Sequence, residues 1–213
     1  MIQAEKSELE LILANSKTAI PDENKERVYD ILCDLKTNAD KSFGTIVVLG
    51  YIPLQNSTDD FNEYTAPMDE DFFKDAKANL LDADVKQQIS KTLEFDGAIL
   101  IKPDGDILHS GVYLRYKDYV DILEDLNASK IGSLSERFGF SECVGTRHIA
   151  AICESYRMPN TTIYIVSEET GAIRIFERGR IIYSPIKKEI FIPKETLDME
   201  EQSRSKIMHM VAS

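Results

Sequence analysis

Apolar positions along this chain follow two rhythms. Between residues 22 and 40, Val28, Ile31, Leu32 and Leu35 recur at i, i+3, i+4 and i+7, which places them on one face of a helix. Asp22, directly after Pro21, is its expected N-cap. Leu9, Ile12 and Leu13 predict a shorter helix over 4–16. The run Gly44-Thr45-Ile46-Val47-Val48-Leu49-Gly50 is instead unbroken and β-branched between glycines, so a buried strand is expected. The polar stretch from Gln55 to Asp71 predicts a long surface loop. Helices are expected at 71–81, carrying Phe72, Phe73, Ala76 and Leu80, and at 83–93, carrying Val85, Ile89 and Leu93.

Strands follow at 97–102 and 107–114, joined by Pro103-Asp104-Gly105-Asp106. Asp-Gly between two apolar runs signals a hairpin, because glycine supplies the positive φ such a turn needs. Residues 117–139 read as helical, with a break near Ser129–Gly132. A helix at 147–156 turns Ile149, Ala150, Ile152 and Cys153 inward. Strands at 161–166 and 172–177 flank Ser167–Gly171, and the tight turn Arg178-Gly179 leads to a strand at 180–183. One more strand is expected at 188–192, before a charged tail from Glu195 to Ser213. This mixture implies an α/β fold of the mixed α+β kind, a central mixed sheet flanked by helices.

Charge narrows the functional classes. A net charge of −12 disfavours a general binder of nucleic-acid backbone, while leaving room for one local basic pocket. The chain has no run of apolar residues long enough for a simple transmembrane helix. Its first residues lack the layout of a signal peptide. A soluble, cytoplasmic protein with no membrane or nucleic-acid partner is the expectation. Cys33, Cys143 and Cys153 show no CxxC spacing and read as buried thiols. Three scattered histidines make no zinc site.

Three polar clusters, each at the end of an apolar element, are the candidates for chemistry. Asp96-Gly97-Ala98 opens a strand. Its carboxylate can ligate a hard cation, take a proton from a hydroxyl, or simply cap a turn. Gly97 lets a flat ligand or another backbone come close. Gly145-Thr146-Arg147-His148 starts a helix, with Thr146 in N-cap position. Free N–H groups there attract phosphate, and Arg147 adds a two-pronged donor. A capped helix with a solvated arginine is the plainer account of the same residues. Ser167-Glu168-Glu169-Thr170-Gly171 offers a hydroxyl for phosphate and a glutamate for magnesium or manganese, or is only a polar turn. No Walker loop, GxGxxG, GxSxG or HExxH is present.

Taken in order, Asp96-Gly97-Ala98, Gly145-Thr146-Arg147-His148-Ile149-Ala150-Ala151 and Ser167-Glu168-Glu169-Thr170-Gly171 resemble the motifs of the DisA-type diadenylate cyclase (DAC) domain. Gly44–Val48 is similar to that family's first strand, and Gly111-Val112-Tyr113-Leu114 to its segment beside the adenine. The resemblance implies a DAC-domain fold over 43–193, an N-terminal helical leader at 1–42 and a tail at 194–213. It implies a nucleotidyltransferase that joins two ATP molecules into cyclic di-AMP and releases two pyrophosphates. Asp96 would be catalytic. Gly97, Ala98 and Leu114 would border the nucleoside. Gly145, Thr146, Arg147 and Ser167 would bind the triphosphate, with His148 and Glu168 on phosphate or metal. A divalent ion, Mn²⁺ or Mg²⁺, would be held by Asp96 with His148 and Glu168 as candidates. Each protomer would hold one ATP, so the active form would be a homo-oligomer containing a face-to-face dimer. Ile149 stands where the family has a second arginine. That lost charge supports the alternative of a non-catalytic or weakly active nucleotide-binding regulatory relative.

Overall fold

The computed structural model describes residues 2–39, 41–53, 61–67, 70–115, 122, 146–186 and 189–190. The helical stretch expected at 117–139, apart from Ile122, and the tail from Glu195 lie outside them, as does Gly145. Of the strand expected at 188–192, Glu189 and Ile190 are described.

Among the described residues, eight strands form one mixed sheet: β1 (Thr45–Leu49), β2 (Thr65–Pro67), β3 (Ala78–Asn79), β4 (Ala98–Ile101), β5 (Asp106–Leu114), β6 (Thr162–Val166), β7 (Ile173–Glu177) and β8 (Arg180–Tyr183). Their order is β2-β5-β4-β1-β6-β7-β8, with β3 also on β5. β1 lies at the centre, parallel to β4 and antiparallel to β6. All its residues are buried, because helices cover both faces of the sheet. Alternate residues feed two cores. Val47, Leu49, Ile99, Ile101, Tyr164 and Val166 meet α1 (Ile2–Ala14), α2 (Asp22–Asn38) and α3 (Val85–Ser90). Ile46, Val48, Ala98, Leu100, Ile163 and Ile165 meet α4 (Thr146–Arg157). Ile122 is buried in this second core. The leader helices contribute fully: Leu9, Leu13, Val28, Ile31 and Leu32 are buried in the first core.

The structure corrects three expectations about the scaffold. Residues 71–81 are not a helix; they bend and then form β3. Side chains instead bind backbone N–H groups in this segment and on β5. Asp71 Oδ1 accepts from the N–H groups of Phe73 (3.1 Å) and Ser110 (2.9 Å), and Asp82 Oδ2 accepts from that of Asn79 (2.7 Å). Phe73 and Leu80 still reach the core, which is why their spacing looked helical. Within the expected loop, Thr65–Pro67 adds an edge strand to β5, where proline is tolerated. Pro21, not Asp22, precedes the first helical residue of α2; Asp22 pairs with the buried Lys25 at 3.0 Å. The two tight turns are as expected. Gly105 has φ +93°, and Arg178 and Gly179 have φ +51° and +76°.

Candidate functional site

The start of α4 lies beside the start of β4, and their first residues line a common wall. At the mouth of β4, Gly97 has φ +110°, and a β-carbon there would fall 2.7 Å from the Val112 backbone nitrogen. Glycine therefore lets this turn press onto β5. The preceding Asp96 is exposed; its Oδ1 accepts from the Gly97 N–H at 3.1 Å. Thr146, expected as the N-cap, is the first helical residue of α4. Arg147 lies across the start of β1: a β-carbon on Gly44 would sit 2.6 Å from Arg147 Nη1. The guanidinium also faces Glu168, with Nη1 3.6 Å from Oε2 and both side chains largely exposed.

Two cavities share Gly44, Asp96 and Arg147. The smaller, about 180 Å³, runs along β4, the end of β5 and the first turn of α4. Its walls include Gly97, Ala98, Leu114 and Thr146, together with Ile46, Val112, Tyr113 and Ala150. The larger, about 1070 Å³, opens toward the end of α2 and α3 and is lined by Glu94, Glu168, Lys41 and Lys86 among others. One cavity is narrow and largely apolar; the other is wide and carries both signs of charge.

The other expected residues stand apart. Ser167 closes the β6–β7 connection: its carbonyl accepts from the Gly171 N–H (2.7 Å) and its N–H donates to the Ala172 carbonyl (3.0 Å). Its Oγ accepts weakly from the Thr170 N–H at 3.4 Å. It lines neither cavity, whereas Glu168 beside it lines the larger one. His148 also lines neither cavity. Its ring meets Phe176 edge-on at 6.0 Å, over the sheet. Burial, then the Arg174 charge, brings the imidazole down to about 4, so it is neutral at pH 7. Arg174 itself is locked by Glu189 in a two-pronged pair at 2.7 and 2.6 Å.

Gly44, Ile46 and Ala150 are site residues that sequence reasoning missed. Ala150 follows Arg147 by one helical turn and could have been inferred from that spacing. Ile46 and Gly44 depend on β1 pairing with β4, for which the sequence carries no local sign.

Among the described residues no cluster of three or more His, Cys, Asp or Glu side chains is formed. Asp96 and Glu168 share the larger cavity, however. One or two carboxylates completed by substrate phosphates is the usual protein share for magnesium, so the set fits a substrate-borne divalent ion. Ile149, the departure from the arginine pattern, is partly buried and packs against the edge of the second core.

Residues 35–181 match the family model described as DisA bacterial checkpoint controller nucleotide-binding. A diadenylate cyclase of Methanocaldococcus jannaschii is 27% identical over 140 residues, which takes in 66% of this chain and 37% of that protein. This chain thus spans little more than a third of that relative's length. Among solved structures, a hypothetical membrane-spanning protein from Bacillus cereus is 18% identical with a TM-score of 0.45, covering 80% of this chain and 64% of that one. A double mutant of DacA from Staphylococcus aureus is 18% identical with a TM-score of 0.42, covering 78% and 87%. Among the described residues, no helix is long and apolar enough to cross a membrane.

Proposed function

The chain belongs to the DisA nucleotide-binding family, and on that premise we propose that it is a diadenylate cyclase. It condenses two ATP molecules into cyclic di-AMP with release of two pyrophosphates. The observation that carries this reading is the shared wall of Gly44, Asp96 and Arg147 between a narrow and a wide cavity. The narrow cleft takes the nucleoside, between Ala98, Val112 and Leu114 on one side and Ala150 on the other. The triphosphate then crosses Gly44 beneath the Arg147 guanidinium and enters the wide cavity. Free N–H groups at the start of α4 and the arginine fork both favour phosphate oxygens there.

Each 3′-oxygen must attack the α-phosphorus of the other nucleotide in line with the departing pyrophosphate. The new P–O bond forms as the bond to pyrophosphate breaks, and the hydroxyl proton leaves to a base. Asp96, exposed beside the nucleoside cleft, orients that hydroxyl and takes the proton. A divalent ion, Mn²⁺ or Mg²⁺, would be held by Asp96 and Glu168 together with the phosphates, and would supply charge neutralisation. Positioning and electrostatics make up most of the catalysis, as in phosphoryl transfer generally. One protomer presents one such cleft, so cyclisation requires two protomers face to face. The wide cavity provides room for the second nucleotide's ribose.

The test is direct. Purified protein with ATP and either ion should yield cyclic di-AMP by mass spectrometry. No product with any divalent ion, at high protein concentration, overturns the proposal. Activity should fall faster than linearly on dilution, as a dimeric site requires.

A further inference from the structure

Near the far end of α4 lies an ionisable side chain with neither carboxyl oxygen hydrogen-bonded. Glu154 is fully buried, and neither carboxyl oxygen has a hydrogen-bond partner among the described residues. Its nearest cation is Arg157 in the last helical turn, with Nη1 3.8 Å from Oε1, beyond hydrogen-bond reach. That same Nη1 donates to the carbonyl of Arg115 at 3.0 Å, and the guanidinium lies 5.4 Å over the Tyr64 ring. Arg115 in turn donates its N–H to the Tyr64 carbonyl at 2.8 Å. Arg115 directly follows Leu114, a wall of the nucleoside cleft; the opposite wall is Thr146, Arg147 and Ala150 on α4. Arg157 therefore connects the two walls at a point outside the cleft.

We propose that Arg157 is a positioning residue for the nucleoside cleft, tying the end of β5 to α4, and that Glu154 competes with the Arg115 carbonyl for its guanidinium. This rests on the nucleotide reading of the cleft. Burial pushes the Glu154 carboxyl up to about 8, against the pull of Arg157, so it is a neutral acid at pH 7. Little else among the described residues can answer its charge. Tyr64 faces the pair from the segment before β2, and the strands under α4 present Ile163, Ile165, Phe176 and Ile181. Arg174 acts on His148, at the other end of the helix. Once Glu154 ionises, a shift of Arg157 by about 1 Å makes a charge-assisted bond. The Arg115 carbonyl then loses its donor, and the Leu114 wall loosens.

The experiment measures ATP binding by calorimetry across pH 6.5–9, turnover at saturating ATP, and hydrogen exchange at the Arg115 amide. For Arg157→Met we expect the dissociation constant to rise about 10-fold while turnover at saturation stays within about 2-fold. The Arg115 amide should exchange faster. Arg157→Lys, which keeps one donor, should recover part of the affinity. In the unsubstituted protein affinity should fall above pH 8, and in Glu154→Gln it should not. Unchanged affinity in Arg157→Met, with or without faster exchange at Arg115, overturns the positioning role alone. An alkaline loss that survives in Glu154→Gln overturns the competition by Glu154. No ATP binding by the unsubstituted protein at any pH overturns the nucleotide reading, and the positioning role with it.

Discussion

The two ends of α4 treat charge in opposite ways. At the start, Arg147 is 43% exposed, and its only described ion-pair partner, Glu168, is itself largely in water. At the other end Glu154 is fully buried, with both oxygens unsatisfied. Beside the helix, Arg174 shows a third solution: a buried cation locked by Glu189, which Ser184 also bonds at 2.9 Å. Exposed charges wait to be desolvated by a ligand, so removing them affects binding or chemistry and spares the fold. The cost of a buried charge is met on folding, so its removal changes stability or its pH dependence. The same helix thus carries one charge exposed to solvent and one ionisable group sealed from it.

The sharpest break of this comparison is Asp96→Asn. Turnover to cyclic di-AMP should fall by at least about 100-fold, while the thermal melt stays put, because the side chain is exposed. Full activity in this variant would remove Asp96 from the chemistry. Next is Arg174→Met. It strands the Glu189 carboxylate, so urea unfolding should show a loss of about 3 kcal/mol. A loss under about 1 kcal/mol would place Arg174 with the exposed class. Glu154→Gln tests the other buried group through pH. The folded acid, at about 8, keeps a proton that the unfolded chain releases near 4.5. Stability is therefore fullest below 4.5 and drains away as pH rises toward 8. The variant should flatten that decline and be more stable at pH 8 by a few kcal/mol; parallel curves for the two proteins would refute it. The smallest effect belongs to Lys86→Met. Its pair with Asp34 is exposed on both sides, and chemical denaturation should register less than about 1 kcal/mol.

Much of the sheet was legible because both of its faces are covered. The runs at Thr45–Leu49, Ala98–Ile101 and Thr162–Val166 are continuous apolar blocks, and they are the three central strands. The hairpin at Gly105 and the turn at Arg178-Gly179 were legible because positive φ leaves a mark in composition. Residues 71–81 were misread because Phe72, Phe73, Ala76 and Leu80 mimic a helical stripe. What replaced the helix was Asp71, whose carboxyl reaches Ser110 on β5, far along the chain. In the site, Asp96, Gly97, Ala98, Leu114, Thr146 and Arg147 converge on one cleft. Residue types and order had made them the candidates. His148, next to Arg147 in sequence, is carried by the helical turn toward Phe176.

By itself the sequence determined which segments could be central strands, where tight turns fall, and that a carboxylate, a helix-start arginine and an acidic turn occur in a family-specific order. These are local properties, set by side-chain branching, periodicity and backbone freedom. Tertiary structure alone decided that Gly44 lies under Arg147, that Asp96 borders two cavities, and that Glu154 is sealed away from water with Arg157 just out of reach. Each depends on strand pairing and on how α4 settles over the sheet. Burial and distance arise from packing between distant segments, and no local pattern encodes them.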